Sequence, residues 1–459
     1  MLNLRIDRYF GPKTDRYTDM KIHRLILLAA VLWTTAAIQQ ACSHVPGEAA
    51  PAEADARWVR DSGLDGLYDM SPKAVTPAPR GYEAVYVSHY GRHGSRYAYT
   101  PKTYRVPLEM LREGAAADNL TERGQKLLDE LEAFWEKGQY LVGDLTPLGW
   151  QQHRYIAETM VKSFPKAFGR GSSVDACSSA SVRAIMSMAS CCAAISRTAP
   201  QSSVYAHQGI MDIQATRPNH GGANPFRYEG VEEPFPYGES PEQFFLRLMP
   251  DYSKVLARIF KDPGACINGR RLHGYGGIFF YYYMLVVGMQ SIPEEQRIDV
   301  SGLLTPDELD ILYETDNYER FREFFNYRIS CSSIVDDIIA KADARLGAGS
   351  RGADLRFGHD HVLLTLLMIM DIEDFGHVAS EPDSVWDWFR SCRSPMAANI
   401  QFVFYTPRRH RSGDVLVKIL LNGEETRMGD IAPVDGPYYR WEDVRAWMNA
   451  RTALFVTKR

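Results

Sequence analysis

The chain has 459 residues, of which 45% are hydrophobic and 24% are charged, an ordinary composition for a soluble globular protein. That length suffices for a large core and for two domains. The formal net charge of −5 argues against a general nucleic-acid binder, so any phosphate site must be a local basic pocket in a mildly acidic protein.

The N-terminal segment has the pattern of an export signal. Lys21 and Arg24 precede an apolar run over 25–38, which fits the hydrophobic region of a signal peptide and is too short for an ordinary membrane span. Met20 is the natural start, so residues 1–19 are predicted to be a mis-called extension.

The signal segment ends at a cysteine. A small residue, Ala41, precedes Cys42, as at a bacterial lipoprotein cleavage site. We predict a signal or lipoprotein segment over 1–42, lipidated at Cys42, and a tether and lead-in over 43–80. The expected location is the periplasm, outer membrane or surface of a bacterium, with the lipid anchor as the only membrane contact and free secretion as the alternative. Export permits disulfides, but the sequence does not choose a pairing among the six other cysteines: Cys177, Cys191, Cys192, Cys266, Cys331 and Cys392.

The most informative motif follows the first predicted strand. Residues 84–88 are apolar or β-branched and indicate a strand, after which comes Tyr90-Gly91-Arg92-His93-Gly94-Ser95-Arg96. The guanidinium groups of Arg92 and Arg96 offer planar donors that suit a phosphate dianion. The same two cations disfavour protonation of His93. A neutral imidazole beside a bound phosphate is placed to act as a nucleophile.

The next elements alternate between helix and strand. A helix is predicted over 121–137, and Thr146-Pro147 predicts a capped helix start. A short strand over 174–177 then precedes a helix over 181–195 that carries Arg183. This placement after a strand repeats that of Arg92 and Arg96, so Arg183 is a third candidate for the phosphate site.

The character of the chain changes between about 215 and 350. Helices dominate there, and they are predicted over 252–261, 274–289, 305–314, 317–326 and 332–345. We therefore expect a mainly helical inserted domain over 216–349, with residues 115–140 as a further segment that could pack with it.

Strand patterns return after the insertion. A strand over 355–357 leads into Gly358-His359-Asp360-His361 and a helix over 362–370. Residues at the carboxyl end of such a strand face the crevice where α/β sheets bind ligands. His359, if charged, completes a cationic cage, and Asp360 can protonate a leaving oxygen once bound phosphate raises its pKa. Asp360 at a helix start is also simply favourable to the helix dipole.

The end of the chain completes the sheet domain. Strands are predicted over 399–405 and 414–421, with a hairpin turn at Asn422-Gly423 and a last helix from Trp441. The predicted fold class is α/β, with a catalytic core over 81–215 plus 350–459.

Several motifs together resemble a known family. Arg92-His93-Gly94-Ser95-Arg96, the distant Gly358-His359-Asp360, Arg183 and the segments 145–151 and 399–405 resemble branch 2 of the histidine acid phosphatase clan. That branch includes acid phosphatases, phytases and multiple inositol polyphosphate phosphatases, and the likeness spans roughly residues 80–450. It implies a phosphoglycerate-mutase-like sheet core flanked by helices, with an inserted all-α domain.

The resemblance also implies a role for each site residue. His93 would form a phosphohistidine, Asp360 would protonate the leaving group, and no cofactor or metal would be needed. The phosphate oxygens would be held by Arg92, Arg96, Arg183 and His359. In one departure from the family, this chain has His359-Asp360-His361 where animal inositol polyphosphate phosphatases have His-Ala-Glu.

The predicted function is thus metal-independent hydrolysis of a small phosphomonoester, on inositol polyphosphates such as phytate or on other phosphorylated metabolites. A general acid phosphatase acting on sugar or aryl phosphates is the alternative within the class. Three others stay open: a lipoprotein that binds phosphorylated ligands without catalysis, a phosphoglycerate-mutase-like transferase, and a metal-dependent hydrolase. The last would use His89, His93, His359, Asp360 and His361, although neighbouring arginines would repel a metal.

Overall fold

The computed structural model describes residues 60, 62–219, 228–267, 280–408 and 413–457. The predicted signal segment, Cys42 and the first part of the tether lie outside these residues.

A mixed sheet of eight strands organises the described residues. The first four strands are mutually parallel, and the last four pair antiparallel. The order is β3-β2-β4-β1-β5-β6-β7, with β8 beside β6. The strands are β1 (Tyr82–Arg92), β2 (Ser173–Ser178), β3 (Ser203–His207), β4 (Gly352–Gly358), β5 (Asn399–Pro407), β6 (Leu416–Leu421), β7 (Glu424–Glu425) and β8 (Tyr438–Arg440).

Helices cover the sheet and build the region inserted between β3 and β4. They are α1 (Lys102–Ala116), α2 (Glu122–Gly138), α3 (Pro147–Ser163), α4 (Val182–Thr198), α5 (Ile213–Thr216), α6 (Pro241–Leu248), α7 (Ser253–Leu256), α8 (Pro263–Ile267), α9 (Phe280–Gly288), α10 (Pro306–Phe324), α11 (Tyr327–Gly347), α12 (Asp360–Met370), α13 (Val385–Trp388) and α14 (Trp441–Ala453).

Both faces of the sheet are buried. Tyr86 and Tyr90 of β1 point into the core formed with α11, α12 and α14, whereas Val87 points into the core formed with α3 and α4. This alternation is the consequence of the two-residue side-chain period of a strand. The expected α/β fold, with helices flanking a sheet, is confirmed.

A third apolar core holds the helical region together. It joins α1 and α2 to α9 and to residues 292–312. Helix α11, which the sequence places in the insertion, instead packs on the sheet beside α12 and α14.

Two helices differ from expectation. The predicted helices over 305–314 and 317–326 form the single helix α10. At the expected break, Thr315 Oγ1 donates to the Ile311 carbonyl oxygen at 2.7 Å and Asp316 pairs with Arg320 one turn later at 3.0 Å. Helix α1 is not predicted from the sequence, where the internal Pro107 argues against a helix.

The cysteines with described side chains carry free thiols: Cys177, Cys191, Cys192, Cys331 and Cys392. Within the part of the chain that the structure describes, no helix combines the length and apolar character that a membrane span requires.

Candidate active site

The two histidine motifs meet at the carboxyl edge of the parallel strands. Strands β1 and β4 are adjacent, with Arg92 opposite Gly358, so both motifs leave the sheet side by side. The His93 amide donates to the Gly358 carbonyl oxygen at 3.1 Å, and the rings of His93 and His359 lie 5.6 Å apart edge to face. The sheet thus joins segments that are distant in sequence.

The loop after β1 is held by the starts of α3 and α4. The Ser95 amide donates to Gln152 Oε1 at 2.8 Å, and the Gly94 amide donates to Ser187 Oγ at 3.0 Å. A Cβ on Gly94 would lie 2.6 Å from the Gly149 carbonyl oxygen. The backbones of the loop and α3 therefore lie in direct contact.

These segments border a cavity of about 190 Å³. Of the predicted site residues, it is lined by His93, Arg96, Arg183, His359 and Asp360, and it is also lined by residues that were not predicted, among them Asp65, Tyr99, Arg217, Asp316, Arg320 and Glu323.

His93 has the tautomer that a nucleophile needs. Its Nδ1 lies 3.0 Å from the carbonyl oxygen of Gly94. A carbonyl only accepts, so Nδ1 carries the proton and Nε2 keeps a free lone pair. Burial, followed by the charges of Arg183 and Arg92, holds the pKa of His93 well below its usual range. The imidazole is therefore neutral.

Three arginines present unpaired donors around this histidine. The Nε atoms of Arg96, Arg183 and Arg217 are buried and have no hydrogen-bond partner within the described residues. Burial and the charge of Arg96 lower the pKa of Arg183 to about 10, so Arg183 remains a cation at neutral pH. Buried unpaired donors are costly, and a phosphate dianion would satisfy them.

Arg92 lies behind the cavity wall. It is fully buried, and its Nη1 donates to the carbonyl oxygens of Leu64 and Ser394. Its Nη2 lies 3.1 Å from Asp360 Oδ2. Arg92 therefore orients Asp360 and adds positive charge, while direct contact with phosphate stays a prediction.

His359 is held by two hydroxyl groups. Its Nε2 lies 2.9 Å from Ser179 Oγ, and its amide donates to the Tyr90 hydroxyl at 3.2 Å. Burial, with the charges of His361 and Arg183, holds its pKa well below the usual range. The charged form that the sequence analysis considered for His359 is thus disfavoured in this structure.

Asp360 is ionised in this structure. Burial alone would raise its pKa, but the charge of Arg92 and a hydrogen bond from His361 outweigh burial and hold the pKa well below the usual range. Its Oδ1 also accepts the His361 amide at 2.8 Å. A role as proton donor therefore requires bound phosphate, whose negative charge would raise the pKa.

The alternative metal set is not assembled. His89 is buried, and its ring packs 5.6 Å from that of Phe357, whereas His93, His359, Asp360 and His361 line the cavity. No cluster of at least three His, Cys, Asp or Glu side chains that could hold a metal occurs in the described part of the chain.

Arg217 and Asp65 are the principal residues that sequence reasoning missed. Arg217 follows β3 and the short helix α5, so its placement after a parallel strand repeats the pattern that pointed to Arg183. Asp65 lies in the lead-in before the first strand, where no motif marks it.

Comparison with known proteins identifies the fold. No family model and no curated protein matches the chain. Among solved structures, the multiple inositol polyphosphate phosphatase of Bifidobacterium longum in complex with phosphate aligns at 18% identity with a TM-score of 0.66, over 86% of this chain and 98% of that one. Its complex with inositol hexasulfate aligns at 18% identity with a TM-score of 0.60, over 83% of this chain and 96% of that one. The phytase from D. castellii aligns at 13% identity with a TM-score of 0.54, over 86% and 85%. The chain therefore has the histidine acid phosphatase fold.

Proposed function

We propose that the protein is a histidine phosphatase that hydrolyses small phosphomonoesters, with inositol polyphosphates such as phytate as the substrate class. The observation that carries the proposal is His93, a buried neutral imidazole with a free Nε2 among Arg96, Arg183 and Arg217. The shared fold supports the substrate class, since the B. longum phosphatase binds phosphate and inositol hexasulfate.

The first step transfers the phosphoryl group to the enzyme. Nε2 of His93 attacks phosphorus, and the bond from phosphorus to the leaving oxygen breaks. The arginines hold the oxygens of the transferring group, as phosphoryl transfer requires. Asp360, protonated once the phosphate is bound, gives its proton to the leaving alkoxide.

The second step restores the enzyme. Water attacks the phosphorus of the phosphohistidine, the bond from phosphorus to Nε2 breaks, and Asp360 accepts a proton from the water. Phosphate then leaves, and His93 returns to its neutral tautomer.

A phosphate-release assay tests catalysis. Wild-type protein should release phosphate from phytate, and His93→Ala should release none above background. A matched control is His377→Ala, because His377 is exposed and does not line the cavity. If His93→Ala kept wild-type turnover, the proposal would fail. Loss of wild-type activity in excess chelator would favour a metal-dependent hydrolase, and tight ligand binding without turnover would favour a binding protein.

Trapping the intermediate tests the mechanism. The reaction with an aryl phosphate that is labelled at phosphorus should be quenched rapidly without acid. Label should then remain on the wild-type chain in a form that acid removes and alkali preserves, as expected of a phosphohistidine. Label that resists acid would point to a different nucleophile.

We also propose export with lipidation at Cys42, on the sequence pattern alone. Fractionation of cells that produce the wild type and Cys42→Ala tests it. The wild type should be found with membranes and the variant in the soluble exported fraction. Equal membrane association of both would refute lipidation.

A further inference from the structure

A carboxyl group lies among the phosphate-site arginines without a role in the proposed steps. Asp65 lines the same cavity as His93, and its Oδ1 is 3.5 Å from Arg96 Nη2. The preceding residue, Leu64, accepts a hydrogen bond from Arg92 through its carbonyl oxygen. Residues 64 and 65 thus contact both arginines of the catalytic motif.

The backbone fixes Asp65 at this place. The Asp65 amide donates to the Ser62 carbonyl oxygen at 3.0 Å, and Gln290 Nε2 donates to the Asp65 carbonyl oxygen at 3.0 Å. The Met396 amide donates to the Gly66 carbonyl oxygen at 2.8 Å. Asp65 is only 3% exposed, so its carboxyl group is shielded from bulk solvent.

The charges around Asp65 oppose one another. Arg96 and Arg92 favour its ionised form, whereas burial, Asp360 and Asp316 disfavour it, and burial dominates, so the pKa of Asp65 is raised. Among the described residues its carboxyl oxygens accept no hydrogen bond. A dianion beside Arg96 would add like charge and favour the protonated form further.

We propose that Asp65 is a proton-linked phosphate-binding residue, which is a counter-ion to Arg96 before phosphate binds and takes up a proton when a dianionic phosphate binds there. The proton comes from solvent on binding and returns to solvent on release. In the neutral state the Asp65 hydroxyl donates to a phosphate oxygen beside Arg96. This inference rests on the proposed phosphate pocket.

The uptake of a proton by Asp65 determines how the affinity for a dianion changes with pH. Where Asp65 is ionised in the free protein and protonated in the complex, affinity for a dianion falls as pH rises, by up to about tenfold per pH unit for one proton. The other groups that face Asp65, namely Arg92, Arg96, Asp360 and Asp316, are unchanged in an Asp65→Asn variant. Because Asp360 also takes up a proton in the proposed mechanism, the contribution of Asp65 is read from the difference between wild type and variant and not from the total pH dependence.

Sulfate is the appropriate probe because it remains a dianion from acid to neutral pH and is not hydrolysed. Its dissociation constant should rise with pH in the wild type and rise less steeply in Asp65→Asn. At neutral pH the variant should bind sulfate at least about tenfold more tightly, because a like charge has been removed from the site. The KM for substrate should follow the same pattern, with a smaller change in kcat.

A matched control separates this effect from a general change of charge. Glu323 also lines the cavity, but it pairs with Arg320 at 3.0 Å. Glu323→Gln should keep the wild-type pH dependence of sulfate binding. If Asp65→Asn kept that dependence as well, or if both variants lost it equally, the inference would be overturned while the proposed function stood. A wild type that bound neither sulfate nor phosphate would overturn the proposed function itself.

A second measurement does not need the Asp65 variant to fold. Calorimetry in buffers of different ionisation enthalpy gives the protons taken up as sulfate binds. Uptake should persist in Asp360→Asn, in which Asp65 remains. Its disappearance there would assign the proton to Asp360 and overturn the inference.

Discussion

Replacing Asp360 with asparagine removes the proposed proton donor and one partner of a buried ion pair. Loss of a general acid lowers a rate by about 10²- to 10⁴-fold, or about 2.7–5.4 kcal/mol of activation free energy. We expect this loss in kcat for inositol or sugar phosphates, whose alkoxides leave poorly. Aryl phosphates need less protonation, so their kcat should fall no more than about tenfold.

The same substitution has a stability cost that must be separated from catalysis. Asp360 Oδ2 lies 3.1 Å from Nη2 of the fully buried Arg92, and removing one partner of a buried pair costs about 3–5 kcal/mol. The loss of stability should be near the lower end of this range, because Arg92 keeps its hydrogen bonds to two carbonyl oxygens. Denaturant titration of the variant measures this cost directly.

Asp354→Asn is the matched control. Asp354 is a buried carboxylate on β4 that pairs with Arg345 at 3.0 Å, and it does not line the cavity. It should lose a similar amount of stability but keep the wild-type ratio of alkyl to aryl turnover. If Asp360→Asn slowed both substrate types equally, Asp360 would not be the proton donor.

Four other changes test the site. Arg217→Ala should lower kcat/KM by about 10- to 100-fold, the value of a charged hydrogen bond of about 1.5–3 kcal/mol. Ser179→Ala removes the 2.9 Å contact with His359 and should lower kcat/KM about fivefold, for a neutral bond of about 1 kcal/mol. Gly94→Ala forces a Cβ against backbone and should lower the free energy of unfolding by about 1–3 kcal/mol, measured by denaturant titration. The lowered pKa of His93 keeps the nucleophile neutral, so kcat/KM should persist as pH falls through about 6.5, where an ordinary histidine titrates.

The three kinetic predictions each have an outcome that would contradict them. Arg217→Ala must differ from Arg197→Ala, whose side chain is 60% exposed on α4 and away from the cavity. Wild-type kinetics in Ser179→Ala would show that another contact orients His359. A steep loss of activity on the acid side near the ordinary histidine range would mean that the pKa of His93 is not lowered.

Local sequence signals predicted the helix starts, turns and strands that depend on interactions between residues close together in the chain. The Thr146 side chain accepts from the Gly149 amide, as a helix cap should, and Asn422 and Gly423 both have positive φ at the predicted hairpin. The strand before His93 was predicted too, although it extends to Arg92. Helix α1 was not predicted, and it forms with Pro107 in its interior although helix propensity disfavours proline there.

The sequence alone brought together the groups of the proposed phosphate site at the end of β1, because an imidazole, two guanidiniums and flexible glycines follow one another along the chain. It also marked His359, Asp360 and Arg183 as candidates. Only the tertiary structure showed that Arg217 and Asp65 line the same cavity. Neither residue lies in a recognisable sequence motif. Arg217 reaches the site through the sheet, and Asp65 reaches it through the lead-in segment. The protonation states were likewise decided in three dimensions, since the pKa of Asp360 depends on burial and on an Arg92 that is distant in sequence.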